Sequence, residues 1–314
     1  MGAPTVELQL HWYPGHMAKA ARELKTRLKL VDAVLEVIDA RIPASSRHPS
    51  LLEGRRGLAR VFLLGRADLA DPEATDAWLR YFRAQGLPAV AADLRQHTWV
   101  AQVRRLLQRA VSEAGQAAGG AAGVEVSREA GAGTAAKRRI AALNPARSER
   151  RVRVMVVGLP NVGKSTVING LAGRAKAGTG AKAGVTRRVQ WLAAGAGLEL
   201  LDSPGLLWPE ATRGRKALYL AVAGLVPDDV FDVRAVAEAF LADMAVRFPQ
   251  RVAARYGEDL VPGDEGLLET VARRLGVWLS GGRPDLDRAA TMVLQDFRSG
   301  RLGRLTLELP PGGA

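Results

Sequence analysis

The chain has 314 residues, 47% of them hydrophobic and 25% charged, a balance that builds a folded protein and excludes general disorder; this length favours two domains. It contains no cysteine, which rules out a disulfide framework, a thiolate zinc site and cysteine nucleophilic catalysis, and its four histidines leave little room for a metal cluster. No apolar run approaches the roughly 20 residues of a bilayer-spanning helix, and Met1 to Leu10 lacks the order of a secretory signal, so a cytoplasmic protein without a membrane partner is expected.

The formal net charge of +13 is unevenly placed. Lys137 to Gln190 holds thirteen Lys/Arg against the single acid Glu149, whereas Leu206 to Ala314 holds fourteen against fifteen acids. A region of the first kind attracts polyanions, because neutralising phosphates releases condensed counterions. A solubilising surface is the plainer alternative.

Along the chain, Ala18 to Leu30 places Leu24 and Leu28 at helical spacing among five basic residues and predicts a basic amphipathic helix. Val31 to Ile38 and Arg60 to Leu64 are short, apolar and rich in branched residues, as strands buried in a parallel sheet must be. Pro72 to Gln85 predicts a helix, Pro88 to Ala91 a third strand and Thr98 to Val111 another helix. Ser112 to Thr134 is dominated by Gly and Ala, offers almost nothing to bury, and reads as a flexible linker. Arg151 to Val157 and Leu198 to Leu201 are further strands. Beyond Arg213 the pattern is helical, over Lys216 to Leu225, Asp232 to Phe248, Gly266 to Leu275 and Asp285 to Phe297, punctuated by Pro227, Pro249, Pro262 and Pro284. The fold class is therefore α/β, with a small all-α domain after it. The expected division is 1–30 for the amino-terminal segment, 31–212 for the α/β domain and 213–314 for the helical domain.

Gly158-Leu-Pro-Asn-Val-Gly163-Lys164-Ser165 fits G-x-x-x-x-G-K-S/T after an apolar strand and before a helix, the context in which that pattern is a phosphate-binding loop. Its glycines permit a tight turn in which the amides from Asn161 through Val162, Gly163, Lys164, Ser165 and Thr166 face phosphates. Lys164 then reaches the terminal phosphates and the Ser165 hydroxyl can ligate Mg²⁺. Asp202-Ser-Pro-Gly205 ends a later strand, which brings a carboxylate near the metal through water and the Gly205 amide near a γ-phosphate. Between them Gly184-Val-Thr186-Arg-Arg suits a loop that delivers the Thr186 hydroxyl to the metal.

A guanine-nucleotide domain would carry N-K-x-D after these motifs, but nothing beyond Gly205 resembles it. The candidate lies upstream, where Gly65-Arg66-Ala67-Asp68 follows a predicted strand and Asp68 can accept both guanine N–H groups. Adenine offers no such donor pair, which opposes an ATPase. Base motif first and phosphate loop second is a circular permutation of the usual order.

These motifs together resemble the circularly permuted ribosome biogenesis GTPase A group. The resemblance includes His11-Trp-Tyr-Pro-Gly-His16-Met-Ala-Lys19, Asp39-Ala-Arg-Ile-Pro43 and Asp296-Phe-Arg-Ser-Gly-Arg301-Leu-Gly, and covers nearly the whole chain apart from the linker. It implies GTP hydrolysis to GDP, slow until stimulated by the large ribosomal subunit, by a protein that binds ribosomal RNA during late assembly of that subunit and acts as a monomer. It implies that His16 orients the attacking water where Leu206 replaces the usual glutamine. Asn161 is similar to an asparagine that ligates K⁺ in related GTPases, with an ordinary loop hydrogen bond as the alternative. The helical tail resembles the family's RNA-binding domain; its near-neutral charge restricts binding to local patches such as Arg298, Arg301 and Arg304. Gly65 and Arg66 depart from the usual Asn-Lys, which weakens guanine affinity while Asp68 preserves selectivity. Gly65 and Leu206 also motivate a second reading, an RNA-binding assembly placeholder whose nucleotide site regulates binding with little or no hydrolysis.

Overall fold

The computed structural model describes residues 22–48, 58–121, 151–173, 191–195, 197–203, 205, 207–258, 260 and 266–312. Residues 22–27 are helical and pass through a 3-10 turn, Leu28–Leu30, into the first strand. Leu24, Leu28 and Val31 are buried, so the apolar stripe of this basic segment docks on the sheet as its spacing predicts. The strands are β1 (Ala33–Asp39), β2 (Ala59–Gly65), β3 (Ala89–Ala91), β4 (Val152–Val157), β5 (Trp191–Ala193) and β6 (Leu198–Asp202), in the spatial order β3-β2-β1-β4-β6-β5. All neighbours run parallel except β5, which is antiparallel to β6. β1, β2 and β4 are mostly apolar because β1, most of β2 and the second half of β4 are buried on both faces, the condition that a parallel sheet with helices on each side imposes; the buried Glu36 within β1 is paired with Arg60 of β2.

Helix α1 (Pro72–Ala84) begins where the Asp71 carboxylate caps the Ala74 amide and Pro72 presets the first turn. Helix α2 (Trp99–Ala121) runs ten residues past the predicted end at Val111, into the segment read as a flexible linker. Alanine at positions 114, 117, 118 and 121 carries helix propensity high enough to extend a helix already anchored by Trp99, Val103 and Leu107. β5 was not predicted: three residues with one buried side chain give too short a pattern to read.

Helix α3 (Lys164–Ala172) follows the phosphate loop. The C-terminal region supplies α4 (Gly214–Val222), α5 (Val233–Arg247), α6 (Pro249–Tyr256), α7 (Leu267–Arg274) and α8 (Leu286–Ser299). The predicted run Asp232 to Phe248 is α5; Pro249, which cannot donate into the preceding turn, ends it and opens α6, a short helix that was not predicted. One apolar cluster runs from Leu35 and Val156 in the sheet through Trp208 and Leu218 to Phe240 and Val293, so strands and C-terminal helices share a core. No helix among the described residues is long and apolar enough to cross a membrane.

Candidate functional site

The register fixes what the sheet offers at its carboxyl rim. Asp39 pairs with Gly65, Glu36 with Val157, and Val156 with Asp202, so the chain leaves β1, β2, β4 and β6 side by side at Asp39, Gly65, Gly158 and Asp202. Ligands of parallel α/β sheets bind beyond this rim. The base-type loop therefore follows β2 and the phosphate-type loop follows β4, with β1 between them.

The loop from Gly158 to Lys164 is tight because its backbone leaves the ordinary region. Gly158 has φ +151°, and a Cβ there would lie 2.5 Å from the Val37 carbonyl oxygen. Gly163 caps α3 at φ +106°, where a Cβ would meet Leu94 Cδ1 at 2.8 Å. Asn161 is held at φ +53° despite its side chain, a local strain of the kind that binding loops store. The amides at the start of α3 are left without helical partners, which suits an anion. Lys164 Nζ donates to Leu159 O at 2.7 Å across the loop. Burial pushes the Lys164 ammonium down to about 8, with the nearby Asp202 charge opposing the shift.

Asp202 and Ser203 are buried where β6 ends, and the Ser203 hydroxyl donates to Val156 O at 2.7 Å, tying this segment to the strand that feeds the phosphate loop. A Cβ on Gly205 would lie 2.8 Å from Pro160 N and Cα and 3.0 Å from Lys164 Nζ, so the Gly205 backbone lies directly on the loop. Lys164, Ser165, Asp202 and Gly205 thus belong to one site. His16, Thr186 and Leu206 lie outside the described residues, as does most of the basic run; Leu207 is buried.

Arg66 is held at φ +57° and turns inward. Its guanidinium donates to Asp39 Oδ2 at 3.2 Å, to Ala223 O at 2.9 Å and to Asn161 O at 3.0 Å, joining the base-type loop to the phosphate-type loop and to the end of α4. Asn161 Nδ2 makes a long contact of 3.4 Å with Gly224 O, just past the end of α4. Asp68 faces outward, and Arg95 Nη2 donates to its Oδ2 at 2.7 Å. Arg95 is itself held by Asp93 through Nε at 2.9 Å and Nη2 at 3.0 Å, hydrogen bonds that keep the Asp93 carboxyl below its ordinary value.

Several residues of this site had no assigned role in the sequence. Asp39 and Arg41 are fully buried and form the hub beneath Arg66; the string Asp39-Ala-Arg-Ile-Pro was visible but carried no chemistry of its own. Burial alone would push the Asp39 carboxyl up, yet the charges of Arg41 and Arg66 and the Arg41 hydrogen bonds bring it below the usual carboxylate value. Leu94 fills the space over Gly65, its Cδ1 3.0 Å from where a Cβ would stand. An apolar side chain therefore occupies the ground next to the position where the base motif ordinarily has its asparagine. The arginines expected to form an RNA patch are engaged within the chain: Arg298 donates to Ala221 O, Val222 O and Asp228, Arg301 to Asp296, and Arg304 to Ala67 O and Ala70 O. Arg298 and Arg304 serve carbonyls at the end of α4 and in the loop after β2, with Ala221 O also accepting from the Gly224 amide, while Arg301 pairs with the buried Asp296 carboxylate.

Residues 153–240 match the family described as 50S ribosome-binding GTPase. A protein named ribosome biogenesis GTPase A from Priestia megaterium is 36% identical over 304 residues, 96% of this chain and 98% of that one. Among solved structures, GDP-bound YlqF is 26% identical with TM-score 0.59 over 92% of this chain and 99% of that one. GNP-bound YlqF from T. maritima, also 26% identical, gives 0.56 over 93% and 99%. With such identity over nearly its full length, and with its base-type loop preceding its phosphate loop on one rim, the chain belongs to the ribosome biogenesis GTPase A family.

Proposed function

We propose that this protein is a GTP-hydrolysing switch that binds ribosomal RNA and assists late assembly of the large ribosomal subunit, slow alone and stimulated by that subunit. The observation that supports this most is the convergence of the phosphate loop, Asp202 to Gly205 and the Asp68 loop on one sheet rim. The triphosphate lies on the amides of Asn161 to Thr166, and Lys164 exchanges Leu159 O for phosphate oxygens. Asp68 accepts the guanine N–H groups. His16 orients the water that attacks the γ-phosphorus as the bond to the β-phosphate oxygen breaks, leaving GDP and phosphate. Gly205 offers its amide to the γ-phosphate.

The donors suited to a metal here are the Ser165 and Thr186 hydroxyls and the Asp202 carboxylate, a hard oxygen set that fits Mg²⁺. Among the described residues no group of three or more His, Cys, Asp or Glu could hold a metal. Bound Mg²⁺ supplies positive charge to the β- and γ-phosphoryl oxygens. Asn161 is the residue that would hold K⁺. The protein works in the cytoplasm as a monomer, in the three parts 1–30, 31–212 and 213–314.

Steady-state GTP hydrolysis in potassium and in sodium buffer, with and without large subunits, tests this for the wild type and His16→Ala. Stimulation lost in the variant is the expected result. Equal turnover with and without subunits overturns the switch, and bound GTP with no hydrolysis anywhere favours the placeholder.

Two further outcomes follow from this geometry. Arg95 must leave or share Asp68 when a base arrives, and its side chain is 75% exposed, so the competing ion pair is weak. Arg95→Ala is expected to tighten GDP binding by no more than about five-fold, measured by fluorescence titration. Lys164 releases its proton near pH 8 in the free protein, while bound phosphates favour the cation. Binding therefore takes up a proton above about pH 8, and GDP affinity falls with rising pH by up to about ten-fold per unit. Titration calorimetry in two alkaline buffers of different ionisation enthalpy reads that uptake.

A further inference from the structure

The base-type loop has lost the asparagine that would hold it, and the structure gives that task to the end of the chain. After α8 the backbone turns at Gly300, whose φ is +79° and where a Cβ would lie 2.8 Å from Leu69 Cδ2. Residues 304–308 then run back over the sheet rim. Arg304 Nη2 donates to Ala67 O at 3.0 Å and its Nε to Ala70 O at 2.9 Å, while the Leu305 amide donates to Leu69 O at 3.0 Å. The Thr306 hydroxyl accepts from the Asp71 amide at 3.1 Å and donates to Ala40 O at 3.2 Å, and the Leu307 amide donates to Arg41 O at 2.7 Å. Trp78 Nε1 donates to Glu308 O at 2.8 Å, and the Glu308 carboxylate accepts from the Ser45 amide and hydroxyl.

Asp68 is the residue enclosed by these contacts. The carbonyls of Ala67, Leu69 and Ala70, on both sides of it, each accept from Arg304 or Leu305. Arg66 fixes the start of the same loop from the opposite side through Asp39 and Asn161. Within the loop the Leu69 amide reaches Arg66 O at 3.0 Å, which is one bond for a turn that carries a specificity carboxylate.

We infer that residues 300–308 are part of the nucleotide site, and that Arg304 is a positioning residue that holds the Asp68 loop for base recognition. The inference rests on the reading of Asp68 as the guanine acceptor. It assigns Arg304 a role in nucleotide selectivity in place of RNA contact.

The experiment measures GDP and IDP affinity of the full-length wild type, Arg304→Ala, Arg304→Lys and Asp68→Asn. IDP lacks the 2-amino group, so the ratio of the two affinities reports how well Asp68 meets the base. Arg304→Ala is expected to weaken GDP roughly ten-fold and IDP less, shrinking the ratio, as two hydrogen bonds from a charged donor are lost. Lysine, which reaches one carbonyl at a time, restores part of it. Arg304 is an exposed residue, so the alanine variant keeps its fold, and its thermal midpoint is measured alongside. An unchanged ratio in Arg304→Ala, or equal losses for GDP and IDP that lysine does not recover, overturns the inference while Asp68→Asn alters base preference. An Asp68→Asn protein with wild-type preference overturns instead the reading beneath it.

Discussion

Asp39→Ala is expected to cost the fold about 3–5 kcal/mol, the penalty for breaking a buried ion pair by removing one partner. The carboxylate accepts from Arg41 N and Nε at 3.0 Å, Arg41 Nη2 at 2.8 Å and Arg66 Nη1 at 3.2 Å, and is sealed from water at the end of β1. Without it the Arg41 side chain, also fully buried, is left among the described residues with Phe297 O at 3.4 Å, Ala223 O at 3.2 Å and the face of the Phe297 ring. Denaturant unfolding measures the loss. A second substitution, Arg41→Met, removes the stranded charge and is expected to recover part of it, a non-additivity that a double-mutant cycle reads. The pH dependence has a fixed sign. The Asp39 carboxyl sits below its unfolded value in the native state, so its contribution is complete above about pH 4 and disappears as pH falls through the lowered native value. The gap between wild type and variant therefore closes on strong acidification.

Asp68→Asn is expected to reduce GTP affinity about 100-fold or more, since two hydrogen bonds to a charged acceptor, each contributing about 1.5–3 kcal/mol, are replaced by one good contact and one donor facing a donor. Xanthine nucleotides carry an oxygen where guanine has its 2-amino group. Asparagine can accept from their ring N–H and donate to that oxygen, so preference inverts rather than merely fading. Competition between GTP and XTP for a fluorescent nucleotide shows it. Arg95 works in the other direction: with Asp68 neutral, Arg95 keeps its Asp93 partner and no longer competes for the base site, which offsets a small part of the loss.

The elements that determine this architecture were legible because each is local. The apolar runs of β1, β2 and β4 and the G-x-x-x-x-G-K-S string state their structures within a few residues. The order of motifs along the chain then implies the permuted sheet. What escaped is what depends on residues far apart. Arg66 reads, with Gly65, as a departure from the base motif, but its partners Asp39, Asn161 and Ala223 lie on three other elements. Leu94 is an ordinary leucine in the turn after β3 until it is found packed over Gly65 and Gly163. Arg298 and Arg304 read as a basic patch because sequence shows their charge and not the carbonyl groups of α4 and the β2 loop that absorb it. A helix C-terminus has orphan acceptors wherever it ends, but which distant arginine serves them is a tertiary fact.

The carboxyl-terminal strap also governs when the molecule becomes complete. Glu308 and Ser45 are 263 residues apart, Thr306 and Ala40 are 266 apart, and Arg304 and Ala67 are 237 apart. Contacts of such separation form late in folding, because the whole intervening chain must be ordered before they return any free energy. During synthesis the strands that flank the base loop emerge well before the segment that closes over them. Nascent chains and products truncated before residue 304 thus carry the phosphate loop without residues 304–308 closed over the rim.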